Sequence, residues 1–234
     1  MYNEALIIEN TAKELSQYMQ KTFSEGDYEI IFSDDGSTDS SAELVRALEL
    51  PCVKVIGYEK NRGKGSAVRN AVLSSEGDIV MFTDADLAYG TGVVKTMTET
   101  LENNSEASLA IGSRNLTSDG YSGYTFMRKL ASKAYIKVLS IMGGFKLTDS
   151  QCGCKAYRGD VAREIFAKCK VDGFAFDFET ILRVQKASLR IIEVPVKIAN
   201  HRDSKVKVLR DALKMLLDLK KIKKDIKNED KTSK

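Results

Sequence analysis

The sequence is poor in several residues that commonly mark special structures. It contains two prolines, one histidine and no tryptophan among 234 residues. So few prolines exclude a long proline-rich linker, and the content of 43% hydrophobic and 29% charged residues is that of an ordinary globular chain. No apolar run approaches the roughly 20 residues that a membrane-spanning helix needs, and no secretory signal is recognisable. We therefore expect one large domain that is soluble or peripheral to a membrane.

Cysteine is also scarce, and its spacing is uninformative for metals. The four cysteines follow neither the pattern of a zinc site nor that of a dense disulfide framework. Reduced thiols, as in the cytosol, are the expectation. Cys152 and Cys154 are two residues apart on a predicted strand, so they are expected to point to the same face and pack there.

The net charge of +3 is too small to indicate a nucleic-acid partner, but its distribution is uneven. Residues 203–234 contain 11 lysines or arginines against 6 acidic residues. Apolar residues recur at helical spacing from Val206 to Ile226, and lysines crowd the end of that segment. We divide the chain into a domain over 1–202 and a basic amphipathic helix and tail over 203–234. Packing on its own domain and binding to a membrane surface remain alternative roles for the helix.

Short apolar strands alternate with helical patterns along the domain. The predicted strands are Tyr28–Ser33, Val53–Tyr58, Ile79–Thr83, Ser108–Gly112 and Leu189–Ile198. The predicted helices are Leu6–Thr22, Ser40–Leu48, Ser66–Ser74, Val93–Glu102, Phe126–Met142 and Phe176–Lys186. This alternation predicts an α/β fold in which a mostly parallel sheet has helices on both faces. Ligands of such sheets bind beyond the carboxyl ends of the strands.

The sharpest motif at such an end is Asp84-Ala85-Asp86, directly after an apolar strand. Two carboxylates at this spacing can hold Mg²⁺ together with phosphate oxygens and water. A metal held there would neutralise a departing diphosphate. Two exposed loop carboxylates with no ligand are the alternative, because the motif by itself is common.

Two further motifs follow neighbouring strands. Asp34-Asp35-Gly36-Ser37-Thr38-Asp39 can cap a helix and also offer acceptors to a nucleoside. Asn61-Arg62-Gly63-Lys64-Gly65-Ser66 matches neither the P-loop nor the dinucleotide fingerprint. Its glycines, Arg62 and Lys64 can still hold an anion at a helix start, although a plain helix-start loop remains the alternative.

The order and spacing of these motifs resemble family 2 glycosyltransferases over nearly the whole chain. The segments that carry the resemblance are Tyr2–Glu4, Asp34–Asp39, Asn61–Gly65, Asp84–Asp86, Gly112–Arg114, Asp149–Lys155, Phe174–Glu179 and Ser204–Val206. The last three are similar to the dolichyl-phosphate glucosyltransferase and polyprenyl-phosphate glycosyltransferase branch. The resemblance implies a GT-A (Rossmann-like) fold and inverting transfer of a hexose to a lipid phosphate at the cytoplasmic face of a membrane. UDP-glucose is its first suggestion for the donor and GDP-mannose its second, with Mg²⁺ or Mn²⁺ as the metal.

The resemblance also implies roles for individual residues. Nucleoside contacts would come from Tyr2, Glu4, Asp34 and Asp35. The rest of the donor site, with the metal on the two aspartates, would comprise Lys64, Asp84, Ala85 and Asp86. The acceptor phosphate would meet Arg114 and Arg128, and the sugar and acceptor side would be lined by Asp149, Gln151 and Lys155. Arg202 and Lys205 would close over phosphates.

The acceptor decides whether a general base is needed. A phosphate monoester is already anionic near neutral pH, so it needs orientation and cationic guidance from Arg114 rather than a base. A sugar hydroxyl would need a carboxylate, for which Asp149 and Asp177 are the candidates. Asp177 is more readily explained as a buried ion-pair partner. His201, the single histidine, is either structural or a phosphate or metal contact.

Two departures from the family pattern affect these expectations. The family has a hydrophobic strand before Tyr2-Asn3-Glu4, whereas Met1 stands there in this sequence. The first strand is therefore expected to be missing, through a truncated sequence or a late start codon, and its absence would expose ladder groups. No glutamine follows Asp86, so a third protein ligand for the metal is not assured. Transfer to a glycan hydroxyl, a nucleotidyltransferase and a non-catalytic nucleotide-binding membrane adaptor are the alternative functions.

Overall fold

The computed structural model describes residues 1–121, 126–200 and 208–232. In these ranges six strands alternate with eight α-helices. The strands are β1 Ile30–Asp34, β2 Val53–Gly57, β3 Ile79–Phe82, β4 Ala107–Ser113, β5 Lys155–Arg158 and β6 Arg190–Pro195. The helices are α1 Ile8–Thr22, α2 Ser41–Arg46, α3 Lys64–Leu73, α4 Val93–Glu102, α5 Phe126–Gly143, α6 Gly159–Lys168, α7 Phe176–Lys186 and α8 Val208–Thr232. A short 3₁₀ helix, Arg114–Leu116, follows β4.

The strands and helices whose ranges were predicted are all present, with boundaries shifted by a few residues, whereas β5, α6 and the short 3₁₀ helix were not predicted. Strand β5 has only four residues, Lys-Ala-Tyr-Arg, and gives no apolar run. Helix α6 follows it at once, so no turn residue separates the two elements. The prediction that Cys152 and Cys154 lie on a strand was wrong, because β5 begins only at Lys155. Both thiols are nevertheless fully buried in the core, as their packing role required.

The strands form two separate sheets. Strands β1 and β2 pair in parallel, and the other four strands lie in the order β3-β5-β4-β6. Strand β5 is antiparallel to both of its neighbours, whereas β4 and β6 are parallel. The α/β class with flanking helices is confirmed, and the insertion of β5 between β3 and β4 is the feature that the strand pattern did not reveal.

Each sheet has its own apolar core. The larger core surrounds the four-stranded sheet and includes Leu109, Ile111, Tyr157 and Phe178, all fully buried. The smaller one joins α1, β1 and α2, with Ile8 at its centre. Two core clusters of unequal size therefore support one site, which lies between them.

A cavity of about 1860 Å³ separates β1 from β3, and both strands present an edge to it. The main chain of Met1 pairs with the end of β1, since its amino group donates to the Ser33 carbonyl (2.7 Å) and its carbonyl accepts from Asp35 N–H (2.9 Å). The hydroxyls of Ser33 and Thr83 are buried here without a hydrogen-bond partner in the described structure.

Helix α8 packs on the domain through one face. Met215, Leu219 and Ile222 of that face belong to the larger core. Glu229 near its end forms an ion pair with Arg183 of α7 at 2.9 Å. Of the two roles left open for this segment, packing on the domain is therefore observed for its inner face.

Candidate active site

Strand ends from both sheets deliver polar residues to the same cavity. Nine of the predicted site residues line it: Tyr2, Glu4, Asp35, Lys64, Asp84, Ala85, Asp86, Arg114 and Gln151. Asp34 and Asp149 lie behind this lining. His201, Arg202 and Lys205 fall outside the described residues, as does the side chain of Arg128.

The two metal-ligand candidates follow β3 and are held by different contacts. The Asp84 carboxylate forms an ion pair with the ammonium of Lys64. The Asp86 carboxylate accepts a hydrogen bond from Ala88 N–H at 3.1 Å. Burial and the nearby charge of Asp84 raise the pKa of Asp86. Two carboxylates that share a partly enclosed site repel each other, and a cation between them would relieve that repulsion.

The donor set fits a hard divalent cation that takes its other ligands from elsewhere. In the part of the chain that the structure describes, no group of three or more His, Cys, Asp or Glu side chains could hold a metal. Asp84 and Asp86 would supply two oxygens, and a substrate diphosphate and water would supply the rest, as Mg²⁺ usually requires. When bound, the cation would offset the negative charge that develops on a leaving diphosphate.

Lys64 is the cation nearest to this pair. Although burial opposes its charge, the carboxylates of Asp84 and Asp177 raise its pKa. Lys64 therefore stays charged and occupies Asp84 in the absence of other ligands. If Asp84 served as a metal ligand, the Lys64 ammonium would be available to a phosphate oxygen instead.

Gly153 allows Asp84 to take its position. A Cβ atom at Gly153 would collide with the Asp84 carboxylate, so a larger residue at this point of the 151–154 turn would displace that side chain. This turn brings Gln151 to the cavity, and the Gln151 amide contacts the sulfur of Met215. The sequence alone gave no signal for this dependence, because the two segments are about 70 residues apart.

The glycine-rich loop binds an anion, but that anion is a protein carboxylate. Asp35 accepts hydrogen bonds from the backbone N–H groups of Arg62 and Gly63, each at 3.0 Å. The Tyr58 hydroxyl (2.6 Å) and the Asn61 amide (2.9 Å) also donate to it. The buried Asp35 carboxylate thus satisfies these two N–H groups, and the anion that they hold in this structure belongs to the protein itself.

Tyr58 was missed by the sequence reading and completes this cluster. Burial and the hydrogen bond to Asp35 raise its pKa to about 12, so the phenol stays protonated and keeps donating. The guanidinium of Arg62 lies 4.6 Å from the centre of the Tyr58 ring. These contacts hold the loop that leads into Lys64, the next residue along the chain after Gly63.

The amino-terminal segment is fixed on the aspartate-rich loop. Thr38 N–H donates to the Asn3 side chain at 2.8 Å, and Asn3 N–H donates to the Ser37 hydroxyl at 2.9 Å. Asp34 accepts from that same hydroxyl at 2.5 Å and so is used within the loop. Tyr2 and Glu4, on either side of Asn3, line the cavity on this framework.

Across the cavity, Arg114 is held by a fully buried carboxylate. Its Nε and Nη2 atoms bond to the two Asp149 oxygens at 2.6 and 2.9 Å. Burial lowers the pKa of Arg114, but the hydrogen bonds and the charge of Asp149 outweigh burial and hold this pKa well above its usual range. A guanidinium has five donors, so this bidentate pair fixes its plane without exhausting it.

Lys155, which the resemblance placed on the sugar and acceptor side, does not line the cavity, and neither does the base candidate Asp177. Lys155 is fully buried and donates to Asp177 at 2.6 Å and to the Cys152 carbonyl at 2.7 Å. Its expected contact with sugar or acceptor was wrong, because β5 places it inside the core. The interpretation of Asp177 as a buried ion-pair partner is confirmed.

Comparison with known proteins agrees with this geometry. The profile described as Glycosyl transferase family 2 matches residues 1–166. The chain belongs to this family. It is 31% identical to a dolichyl-phosphate beta-glucosyltransferase (ALG5C) of Trichomonas vaginalis over 94% of this chain and 68% of that protein. It is 29% identical to a dolichyl-phosphate beta-glucosyltransferase of Dictyostelium discoideum over 95% of this chain and 71% of that one.

Among solved structures, this family 2 glycosyltransferase is similar to glucosyl-3-phosphoglycerate synthase of Mycobacterium tuberculosis in complex with Mn²⁺, UDP and phosphoglyceric acid. The TM-score is 0.70 at 19% identity, covering 94% of this chain and 75% of that one. The likeness confirms the GT-A fold. The chain is thus a glycosyltransferase, as the motif order indicated.

Proposed function

We propose that this glycosyltransferase moves glucose from UDP-glucose to a polyprenyl or dolichyl phosphate with inversion at the anomeric carbon. The acceptor phosphate oxygen forms a bond to C1 of glucose, the bond from C1 to the diphosphate breaks, and UDP leaves. The named relatives and the UDP-bound structural neighbour support this choice of donor and acceptor.

The observation that carries the proposal is that one cavity is lined both by a pair of carboxylates that could hold a cation and by a fixed guanidinium. Asp84 and Asp86 line it with Lys64, where a divalent cation and a diphosphate can bind together. Arg114 lines the same cavity with its guanidinium fixed by Asp149. An anionic donor and an anionic acceptor thereby each meet a positive charge.

The state of the candidate bases favours a phosphate acceptor over a hydroxyl. Asp149 is fully buried and gripped by Arg114, and Asp177 is buried against Lys155. Each carboxylate is paired with a cation and is absent from the cavity lining, so neither is placed to take a proton from a hydroxyl. A phosphate acceptor needs no such base, and we assign Asp149 to hold Arg114.

We further propose that the enzyme lies on the cytoplasmic surface of a membrane. No helix in the described residues is long and apolar enough to cross a bilayer. Helix α8 exposes Leu217 to 66% together with five lysines, and on α5 Ile141 is 73% exposed. The exposed lysines are Lys220, Lys221, Lys223, Lys224 and Lys227. Exposed apolar side chains beside lysines suit the interface of an anionic leaflet.

Lipid-linked product formation tests the function directly. Purified enzyme with Mn²⁺, radiolabelled UDP-glucose and a polyprenyl phosphate in detergent should place label in the organic phase. Asp86→Asn should lower that rate by about 10²–10³-fold, since stabilisation of the leaving group is lost. Asp160→Asn, an exposed change on α6, should leave it unaltered.

Label found only in a water-soluble product would replace the lipid acceptor with a glycan or another hydroxyl. Equal rates for Asp86→Asn and the unchanged enzyme would overturn the metal assignment. GDP-mannose used in preference to UDP-glucose would correct the donor.

Flotation with liposomes tests the membrane surface separately from activity. Binding should rise with the anionic lipid fraction and fall when Leu217 and Ile141 are replaced by glutamate. Leu73→Glu is the matched control, because Leu73 is also exposed (46%) but lies on α3. Liposome binding that does not depend on the anionic lipid fraction would contradict this surface. So would a Leu73→Glu control that weakens binding as much as the replacements at Leu217 and Ile141.

A further inference from the structure

A single carboxylate oxygen on β6 organises the loop that carries Asp149. Glu193 Oε1 accepts hydrogen bonds from Thr148 N–H (2.8 Å), the Thr148 hydroxyl (2.6 Å) and Asp149 N–H (3.2 Å). No motif pointed to Glu193, which follows two isoleucines within an apolar strand. Three donors on one oxygen form a compact clamp, because hydrogen bonds to a charged acceptor are stronger than neutral ones.

The clamp ties the loop to β4, the strand that directly precedes Arg114. In the parallel pairing of β4 and β6, Glu193 stands opposite Ile111, two residues before the end of β4. The Ser113 hydroxyl lies 2.7 Å from the Thr148 hydroxyl, which joins the loop to the last residue of β4. The Asn115 amide donates to the Thr148 carbonyl at 2.6 Å and closes the network from the other side.

This network connects Glu193 to the guanidinium of Arg114 through Thr148 and Asp149. Asp149 is the first residue after Thr148, and its carboxylate makes three hydrogen bonds with Arg114, one of them from the backbone N–H at 3.2 Å. The plane of the guanidinium therefore depends on where the Thr148–Asp149 peptide is held. A shift of about 1 Å in such a group can cost on the order of 100-fold in rate.

We propose that Glu193 is a positioning residue that sets the orientation of Arg114 toward the acceptor phosphate. The inference rests on the proposed function for its kinetic consequence, whereas its structural consequence can be measured without any substrate. Glu193 touches neither Asp84 nor Lys64, so donor and metal binding should not depend on it.

The test compares Glu193→Ala with Glu193→Gln. The glutamine carbonyl can accept the same three hydrogen bonds, whereas alanine removes them. In Glu193→Ala we expect the acceptor kcat/KM to fall about 10–100-fold. The dissociation constant of UDP with Mn²⁺ should stay within about twofold, and Glu193→Gln should keep most of the acceptor kcat/KM because the clamp survives.

A substrate-free signal separates this inference from the proposed function. The Nε–H proton of Arg114 should give a protected NMR resonance in the unchanged enzyme and in Glu193→Gln. In Glu193→Ala it should exchange at least tenfold faster. Thr148→Val, which removes one of the three donors, should give an intermediate exchange rate and serves if the alanine variant does not fold.

The outcomes distinguish the two ideas. An unchanged Arg114 resonance in Glu193→Ala overturns the positioning role, whatever the acceptor is. An equal loss of UDP affinity and acceptor kcat/KM also overturns it, because a general structural defect would explain both. A lost resonance in an enzyme that transfers nothing to lipid phosphate keeps the positioning role and removes the proposed acceptor.

Discussion

Two lysine–aspartate ion pairs near the candidate active site differ in their exposure. Lys64 and Asp84 form an ion pair at the cavity, with side chains 29% and 36% exposed. Beneath the site, Lys155 and Asp177 form an ion pair of comparable geometry with side chains 0% and 9% exposed. The first pair can exchange partners with a ligand, whereas the second cannot be separated without leaving a charge in the core.

The difference follows from the sheets. Strand β5 is paired on both edges, so Lys155 sits in a closed layer between β3 and β4. Strands β1 and β3 each present one edge to the cavity, so the residues that follow them remain accessible. Lys155 is buried because β5 is paired on both edges, whereas the residues that follow β1 and β3 remain accessible to a ligand because the sheet is interrupted between those two strands.

Breaking the buried pair should have the largest effect. Asp177→Asn leaves the Lys155 ammonium buried without its carboxylate, and we expect a loss of about 3–5 kcal/mol in the free energy of unfolding. Urea denaturation followed by circular dichroism measures it. Lys54→Met, which breaks the exposed Lys54–Glu29 pair, is the control and should show no measurable change. A mild effect of Asp177→Asn would show that the buried pair is less important than its burial indicates.

Filling the gap between β1 and β3 should have the next largest effect. A five-residue extension of alternating valine and isoleucine before Met1 should enter the gap as a parallel strand. We expect about 2 kcal/mol of added stability, since buried aliphatic side chains outweigh the ordering of the segment. The thermal midpoint and hydrogen exchange of β1 and β3 measure it.

A matched extension with proline at its centre is the control, because proline cannot donate to the ladder. Equal midpoints for the two extensions would show that the cavity does not accept a strand. Faster exchange at β1 and β3 with the first extension would argue against the parallel register.

Neutralising one metal-site carboxylate should have the smallest effect, and a positive one. Burial and the charge of Asp84 raise the pKa of Asp86, so the Asp86 carboxyl group binds a proton more tightly in the folded protein than in the unfolded chain. This stabilisation is present at low pH and is lost as the pH rises through the raised pKa. Asp86→Asn should therefore stabilise the metal-free protein near pH 7 by about 1 kcal/mol.

Thermal unfolding of both proteins in EDTA between pH 4 and pH 8 measures this difference. The stability of the unchanged protein should fall as the pH rises, and the variant should show a smaller fall. With Mn²⁺ and UDP present the order should reverse, because only the unchanged enzyme gains ligand binding energy. A variant less stable than the unchanged enzyme in EDTA would contradict the repulsion between the two aspartates.

Much of the fold was readable because its elements are local. Val93–Glu102 and Phe176–Lys186 were predicted with the boundaries that the structure has, since each repeats apolar residues at helical spacing. Strand β5 was missed because four residues with a lysine and an arginine at their ends carry no such pattern. The site was readable where motifs follow strands, as at Asp84 and Asp86, and unreadable where distant segments meet, as at Glu193 and Thr148. The division of the chain at residue 202 stays a prediction.

By itself the sequence determined the type of most elements, the family and the motif residues that line the cavity, because short motifs and periodicity encode them. Only the tertiary structure decided which carboxylates are available. It assigned Asp35 to the Gly63 loop, Asp149 to Arg114 and Asp177 to Lys155. The physical reason is that the use of a charged group depends on its burial and its partner, and both are set by segments far apart in the chain.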